Sequence, residues 1–81
     1  MTVDKRLTSL LAEIFNLRES DITFELTKDD VGNWDSLKQM DLVVTLEREY
    51  NITLGIPDIV SMVSAEAIVK VLRDKGVSIG N

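Results

Sequence analysis

Residues 33–50, N-W-D-S-L-K-Q-M-D-L-V-V-T-L-E-R-E-Y, pass from a polar loop into a pattern typical of a helix. At about 100° per residue, one side of this predicted helix gathers four apolar side chains that form the expected core face: Leu42, Val43, Leu46 and Tyr50. A second apolar stripe, Leu37, Met40 and Val44, lies roughly opposite. A helix of a small bundle needs only one such stripe, so the second predicts either a docking surface or a face covered by a loop or a short helix. Periodicity alone leaves both open.

Asp35 and Ser36 stand where the loop becomes this helix. Both are favoured N-cap residues, and Ser36 to Gln39 match the capping-box pattern, so capping is the structural explanation of the serine. The functional alternative is an exposed hydroxyl at the positive end of the helix dipole, where a phosphate can be received. Another protein would then have to activate this hydroxyl.

The composition limits the classes of function. The 81 residues, 44% hydrophobic and 28% charged, predict one globular domain over residues 1–81. A net charge of −5 disfavours nucleic acid and favours partners with basic patches. No apolar run approaches the roughly 20 residues that span a membrane, and no signal-peptide segment is visible. We therefore expect a cytoplasmic protein. We also expect it to be a monomer.

Two residue types are absent, cysteine and histidine. Disulfides, thiolate metal sites, a Ser-His-Asp triad and a Cys-His pair are thereby excluded. We expect no catalytic residue and no metal site. Several acidic or amide residues precede and enter the helix but lack the EF-hand register: Asp29, Asp30, Asn33, Asp35 and Asp41.

The rest of the chain also reads as helical. Apolar spacing predicts a first helix over about residues 2–16, with Thr2 or Asp4 near its start. Residues 18–33 are long for a structureless loop and should be pinned to the core by apolar side chains: Ile22, Phe24, Leu26 and Val31.

Ile56-Pro57 opens a short helix, since proline suits the first helical position. A last helix fits residues 64–75, with Ser64 as its cap and Gly76 as its end. Its predicted inner face contains four residues: Ala65, Ile68, Val69 and Leu72. The predicted fold is all-α: an antiparallel four-helix bundle of three longer helices and one short helix, with a long loop between helices one and two.

The stretch from Trp34 to Tyr50 resembles the second helix of acyl carrier proteins. Its D-S-L triplet, residues 35–37, is similar to the phosphopantetheine attachment motif of that family. The apolar-acid-Leu-Val pattern of residues 40–43 and the Leu-Glu-x-Glu-aromatic ending of residues 46–50 follow. The later Ile-Pro, the chain length and the helix order agree, so the resemblance covers nearly the whole domain.

The resemblance implies that a phosphopantetheinyl transferase, using coenzyme A and a divalent metal, attaches 4′-phosphopantetheine to Ser36. The protein would be a stand-alone carrier and not an enzyme. It would hold acyl intermediates as thioesters and deliver them to enzymes of fatty-acid, polyketide-like or related specialised biosynthesis. Asp35 and Leu37 would take part in recognition by the transferase.

The resemblance also implies a partner surface. Met40 and Val44 correspond to apolar positions that partners contact. Asp41 and Glu47 correspond to acids that meet basic patches on acyl-loading and acyl-processing enzymes.

Three departures leave the pathway open. Trp34 replaces the small residue common before D-S-L in fatty-acid carriers, and Lys38 and Arg48 interrupt the acidic surface. A charge reversal so close to the serine should affect the choice of partner.

Two further hypotheses remain. The alternative function is a small helical adaptor that binds a protein through the Leu37/Met40/Val44 stripe without modification. If the protein is a carrier, the small or flexible side chains of Val44, Ile59 and Met62 predict that acyl chains nest between helices two and three.

Overall fold

Residues 4–79 are described by the computed structural model, and they form an all-α bundle. Four α-helices follow one another along the chain: α1 Lys5–Phe15, α2 Ser36–Tyr50, α3 Ile56–Ser61 and α4 Ala65–Asp74. The connection from α1 to α2 contains two 3-10 turns, Glu19–Asp21 and Lys28–Asp30. The predicted bundle of three longer helices and one short helix, with a long first loop, is confirmed.

The start of α1 is set by Asp4, whose carboxylate accepts hydrogen bonds from the backbone N–H groups of Arg6 (2.9 Å) and Leu7 (3.3 Å). A side-chain oxygen at this position satisfies N–H groups that have no partner within the helix. Of the two predicted starts, Asp4 is therefore the cap, and Thr2 lies outside the described residues. Ser64 caps α4 in the same way, as predicted, by accepting from the N–H of Ala67 at 3.0 Å.

Three helices end at a residue in the left-handed backbone conformation. Gly76 follows α4 with φ +88°, and Asn16 and Asn51 follow α1 and α2 with φ 56° and 54°. The next N–H in each case reaches back five residues to close the last turn: Leu17 to Ala12, Ile52 to Glu47 and Val77 to Leu72. The sequence predicted the glycine end. Asparagine serves equally because its short polar side chain tolerates this conformation.

The apolar faces of the helices meet in one core. The predicted core face of α2 is confirmed for Leu42, Val43 and Leu46, while Tyr50 is only partly buried. All four residues of the predicted inner face of α4 are buried, together with Val71. Leu7, Leu11 and Phe15 supply the face of α1.

The long α1–α2 connection is fixed to this core. Ile22 and Val31 are buried, and Phe24 and Leu26 pack against the core while partly exposed, so the four predicted pins are confirmed. Backbone pairing adds to them: the Lys28 N–H donates to the Val63 carbonyl and the Ala65 N–H to the Leu26 carbonyl, each at 2.8 Å. This pairing joins the loop to the α3–α4 connection.

Candidate functional site

Asp35, and not Ser36, caps α2. Its backbone is extended (φ −109°), and its carboxylate accepts from the Lys38 N–H at 3.0 Å. Ser36 is already the first residue of the helix, from which a side chain cannot reach the N–H groups of the first turn in the geometry of an N-cap. The Gln39 amide bonds to other groups. The prediction of a capping box from Ser36 to Gln39 is therefore wrong.

The Ser36 side chain is exposed, and among residues 4–79 no group forms a hydrogen bond with its hydroxyl. It occupies the first position of a 15-residue helix, where the dipole and the unpaired N–H groups favour a bound phosphate. Leu37 beside it is 80% exposed. The α2 start thus presents a free hydroxyl next to an apolar side chain.

The loop before this serine is anchored by Trp34, which is buried. The Trp34 ring packs on Phe15 with ring centroids 4.5 Å apart, and the Asn33 amide donates to the Phe15 carbonyl at 3.3 Å. The position that departs from the small residue of fatty-acid carriers is therefore part of the core. A large aromatic residue directly before the N-cap of a helix is the sequence signal that could have predicted this anchor.

A single glutamine links the attachment region to α3. The Trp34 Nε1–H donates to Gln39 Oε1 at 2.6 Å. Gln39 Nε2 in turn donates to the carbonyl oxygens of Ile59 (2.8 Å) and Met62 (3.1 Å). From the sequence, Gln39 was expected in a capping box and this bridge was not predicted, because its partners, Ile59 of α3 and the C-cap residue Met62, lie 20 and 23 residues further along the chain.

The second stripe of α2 is not covered. Met40 and Val44 are 52% and 53% exposed, so neither the loop nor the short helix packs over them. On the described structure α3 adds two exposed apolar side chains, Ile56 and Val60. We call the following exposed residues the α2–α3 apolar surface: Leu37, Met40, Val44, Ile56 and Val60. Of the two explanations left open by the sequence, the exposure favours a docking surface.

The two predicted partner-binding acids differ in their surroundings. Asp41 is exposed. Glu47 is partly buried, and its Oε2 accepts from the Leu54 N–H at 2.9 Å, which braces the turn from α2 to α3. The structure therefore gives Glu47 a role in the fold, and contact of either acid with a partner stays a prediction.

Arg6 of α1 contacts the C-terminal end of α2. Arg6 donates to the Glu49 carbonyl at 2.6 Å, and its guanidinium lies 4.8 Å from the centre of the Tyr50 ring. Burial raises the pKa of the Tyr50 hydroxyl, and Asp4 and Glu49 raise it further while Arg6 opposes them. These groups stabilise the α1–α2 contact and are remote in sequence from Ser36.

The described residues contain no preformed cavity. Val44 is exposed and Met62 is fully buried, so a chain nesting between α2 and α3 would require these helices to separate.

Within residues 4–79, no three acidic side chains approach closely enough to hold a metal ion. No helix in this part of the chain has the length and hydrophobicity needed to cross a membrane.

A family model described as a phosphopantetheine attachment site matches residues 5–72. The chain belongs to this family. The match spans α1, α2, α3 and most of α4, and it supports the resemblance to acyl carrier proteins. Proteins of this family carry covalently attached 4′-phosphopantetheine. Their carrier domains are not themselves catalysts, and they interact with a phosphopantetheinyl transferase and with biosynthetic enzymes.

The start of α2 fits such a group. The Ser36 hydroxyl is exposed and free of hydrogen bonds to the described residues, and the Asp35 carboxylate is engaged with the Lys38 N–H. A phosphate on Ser36 would lie at the positive end of the helix. When bound, the group supplies a terminal thiol, which the chain itself lacks.

Proposed function

We propose that Ser36 carries the 4′-phosphopantetheine arm and that the protein delivers acyl groups held on this arm to partner enzymes. One observation carries the assignment to this residue: the Ser36 hydroxyl is exposed at the first position of α2, with no hydrogen bond to any described residue. Membership of the family supports it.

Attachment requires an external catalyst. In the transfer from coenzyme A, the Ser36 oxygen forms a bond to the phosphorus that bears the pantetheine, and the pyrophosphate P–O bond of coenzyme A breaks. Adenosine 3′,5′-bisphosphate leaves, and the hydroxyl proton passes to a base of the transferase. The chain has no histidine to act as such a base. Its own contribution is to present the hydroxyl, with Asp35 holding the helix start and Leu37 exposed for the transferase to contact.

The partner surface proposed here combines apolar and acidic residues of α2. Met40 and Val44 would contact apolar side chains of a partner, and Asp41 would meet its basic patch, with Glu47 contributing less because it is bound to the turn. Lys38 and Arg48 make this surface less uniformly acidic. We infer partners in fatty-acid, polyketide-like or related specialised biosynthesis that tolerate positive charge beside the arm.

The test is to incubate the protein with coenzyme A, magnesium and a broad-specificity phosphopantetheinyl transferase and to record its intact mass. We expect a gain of one phosphopantetheine in the wild type and none in Ser36→Ala. Ser9→Ala, an exposed serine of α1, is the matched control and should gain the group like the wild type. A modified Ser36→Ala would contradict the assignment.

The α2–α3 apolar surface supports a second candidate, an adaptor that binds a protein without modification. An adaptor would remain unmodified after incubation with several transferases, and its Ser36→Ala variant would still bind the partner. A carrier must be modified at Ser36 before it can hold cargo. The mass measurement therefore separates the two functions.

A further inference from the structure

We propose that Gln39 determines where the acyl cargo resides, by tying α3 to α2 beside the attachment serine so that the cargo stays outside the bundle. This inference rests on the proposed attachment at Ser36. It contradicts the prediction from the sequence that acyl chains nest between α2 and α3.

The orientation of the Gln39 amide is dictated by its partners. The indole N–H of Trp34 can only donate, so the amide oxygen must face Trp34. The amide nitrogen then faces α3, where the carbonyl oxygens of Ile59 and Met62 take its two hydrogens. A flipped amide would place a donor against the indole and an oxygen against two carbonyls. The bridge therefore has one stable arrangement.

The bridge lies next to the arm. Gln39 follows Ser36 by three residues, so the two side chains project from the same side of α2, one turn apart. A chain that starts at Ser36 and enters between α2 and α3 must pass the Gln39 amide. Entry would break its hydrogen bonds to Ile59 and Met62 and leave partly buried polar groups without partners, which is unfavourable.

A second contact holds α3 at its other end. The Lys75 ammonium of the α4 C-terminus pairs with the Asp58 carboxylate at 2.9 Å, and the same carboxylate accepts from the Gly55 N–H at 3.0 Å. With Gln39 at the end of α3 and Lys75 near its start, the short helix is fixed on both sides. Leu37 and Ile56, which are largely exposed, offer an external apolar surface to the cargo instead.

The experiment loads the 81-residue chain with butyryl and octanoyl arms from the corresponding acyl-coenzyme A and confirms each product by intact mass. Backbone and methyl chemical shifts are then compared between the two acyl forms by NMR. In the wild type, we expect lengthening to change shifts only at Ser36 and on the α2–α3 apolar surface. In Gln39→Ala, we expect the changes to extend to the methyl groups of Ile59, Met62 and Ile68.

Two further variants isolate the bridge. Gln39→Glu keeps an acceptor for Trp34 but sets a carboxylate against the Ile59 and Met62 carbonyls, so it should also break the bridge to α3. We expect the shift changes to extend to the buried methyl groups in this variant too. It replaces Gln39→Ala in the comparison if the alanine variant fails to fold. Lys70→Ala, at an exposed position of α4 outside the proposed partner surface, should match the wild type. Spectra of the forms that carry the arm without cargo verify the fold of each protein.

The outcomes separate this inference from the function on which it rests. Shift changes at buried methyl groups of wild-type octanoyl protein would overturn it, and so would changes confined to the surface in both Gln39 variants. An absence of loading at Ser36, seen in the mass before any spectrum, would instead overturn the proposed function and this inference with it.

Discussion

Asp35 and Ser36 are neighbours with separate tasks. Both are good capping residue types, but only Asp35 has the extended backbone from which a side chain reaches the Lys38 N–H. Because that bond is already made, the serine is not needed to complete the first turn. Its hydroxyl is thereby left available for modification.

A pair of substitutions measures this division of tasks. Asp35→Ala should lower the free energy of unfolding by about 1 kcal/mol, the usual cost of losing an N-cap. Ser36→Ala should change it by less than about 0.5 kcal/mol, since the serine is exposed and forms no capping bond. Urea denaturation followed by circular dichroism measures both. Equal losses would show that Ser36 shares the cap.

At the scale of the element, α2 combines two apolar faces. Leu42, Val43 and Leu46 pack into the core, whereas Leu37, Met40 and Val44 are exposed to solvent. The first face stabilises the protein when its apolar area is buried on folding. The second face contributes free energy only when it is buried by a partner or by cargo. The helix therefore both stabilises the bundle and supplies its docking surface.

One leucine from each face gives a matched comparison. Leu42→Ala should destabilise the protein by about 2–5 kcal/mol, because it leaves a cavity at a fully buried position. Leu37→Ala should stay within about 0.5 kcal/mol of the wild type and should slow the attachment of phosphopantetheine. Urea denaturation and the initial rate of mass gain check the two effects. A stable Leu37→Ala protein modified at the wild-type rate would argue against contact between Leu37 and the transferase.

At the scale of the whole molecule, contacts between distant segments hold the short α3 in place. Lys75, at the end of α4, reaches Asp58 in the first turn of α3, and Gln39 of α2 reaches the carbonyls near its end. The α1–α2 loop pairs with the α3–α4 connection through Lys28 and Val63. The position of a six-residue helix is thus set mainly by its neighbours.

The Asp58 contacts predict a dependence of stability on pH. The Gly55 N–H, and after it Lys75, lowers the pKa of the Asp58 carboxyl from its ordinary value of 3.8. A lowered pKa in the folded state contributes stability that is present above pH 3.8 and is lost as the pH falls through the folded-state value. The temperature of thermal unfolding should therefore fall less steeply for Asp58→Asn than for the wild type as the pH is lowered from about 5 to about 2.

Lys75→Met serves as the control for this pH profile. It removes the ammonium but leaves the bond from the Gly55 N–H, which is the larger cause of the lowered pKa. Its acid profile should lie between those of the wild type and Asp58→Asn. A profile for Asp58→Asn as steep as the wild type would show that other carboxyl groups control the acid sensitivity.

The sequence was sufficient for features that depend on neighbouring residues. The 3.6-residue period marked the buried faces of α2 and α4, and Pro57, Ser64 and Gly76 marked where helices begin or end. The D-S-L triplet at residues 35–37 indicated the family that the match over residues 5–72 then showed. These signals are local because helical hydrogen bonds join residues only a few positions apart.

The amino-acid sequence alone therefore determined that this chain forms a four-helix bundle with a serine at the start of its second helix. Only the tertiary structure decided that Asp35 caps that helix, that the Leu37/Met40/Val44 stripe is uncovered, and that Gln39 bonds to α3. The physical reason is that exposure and side-chain partners depend on groups brought together from distant parts of the chain, such as Gln39 and Ile59, 20 residues apart. No local period or motif encodes such a meeting.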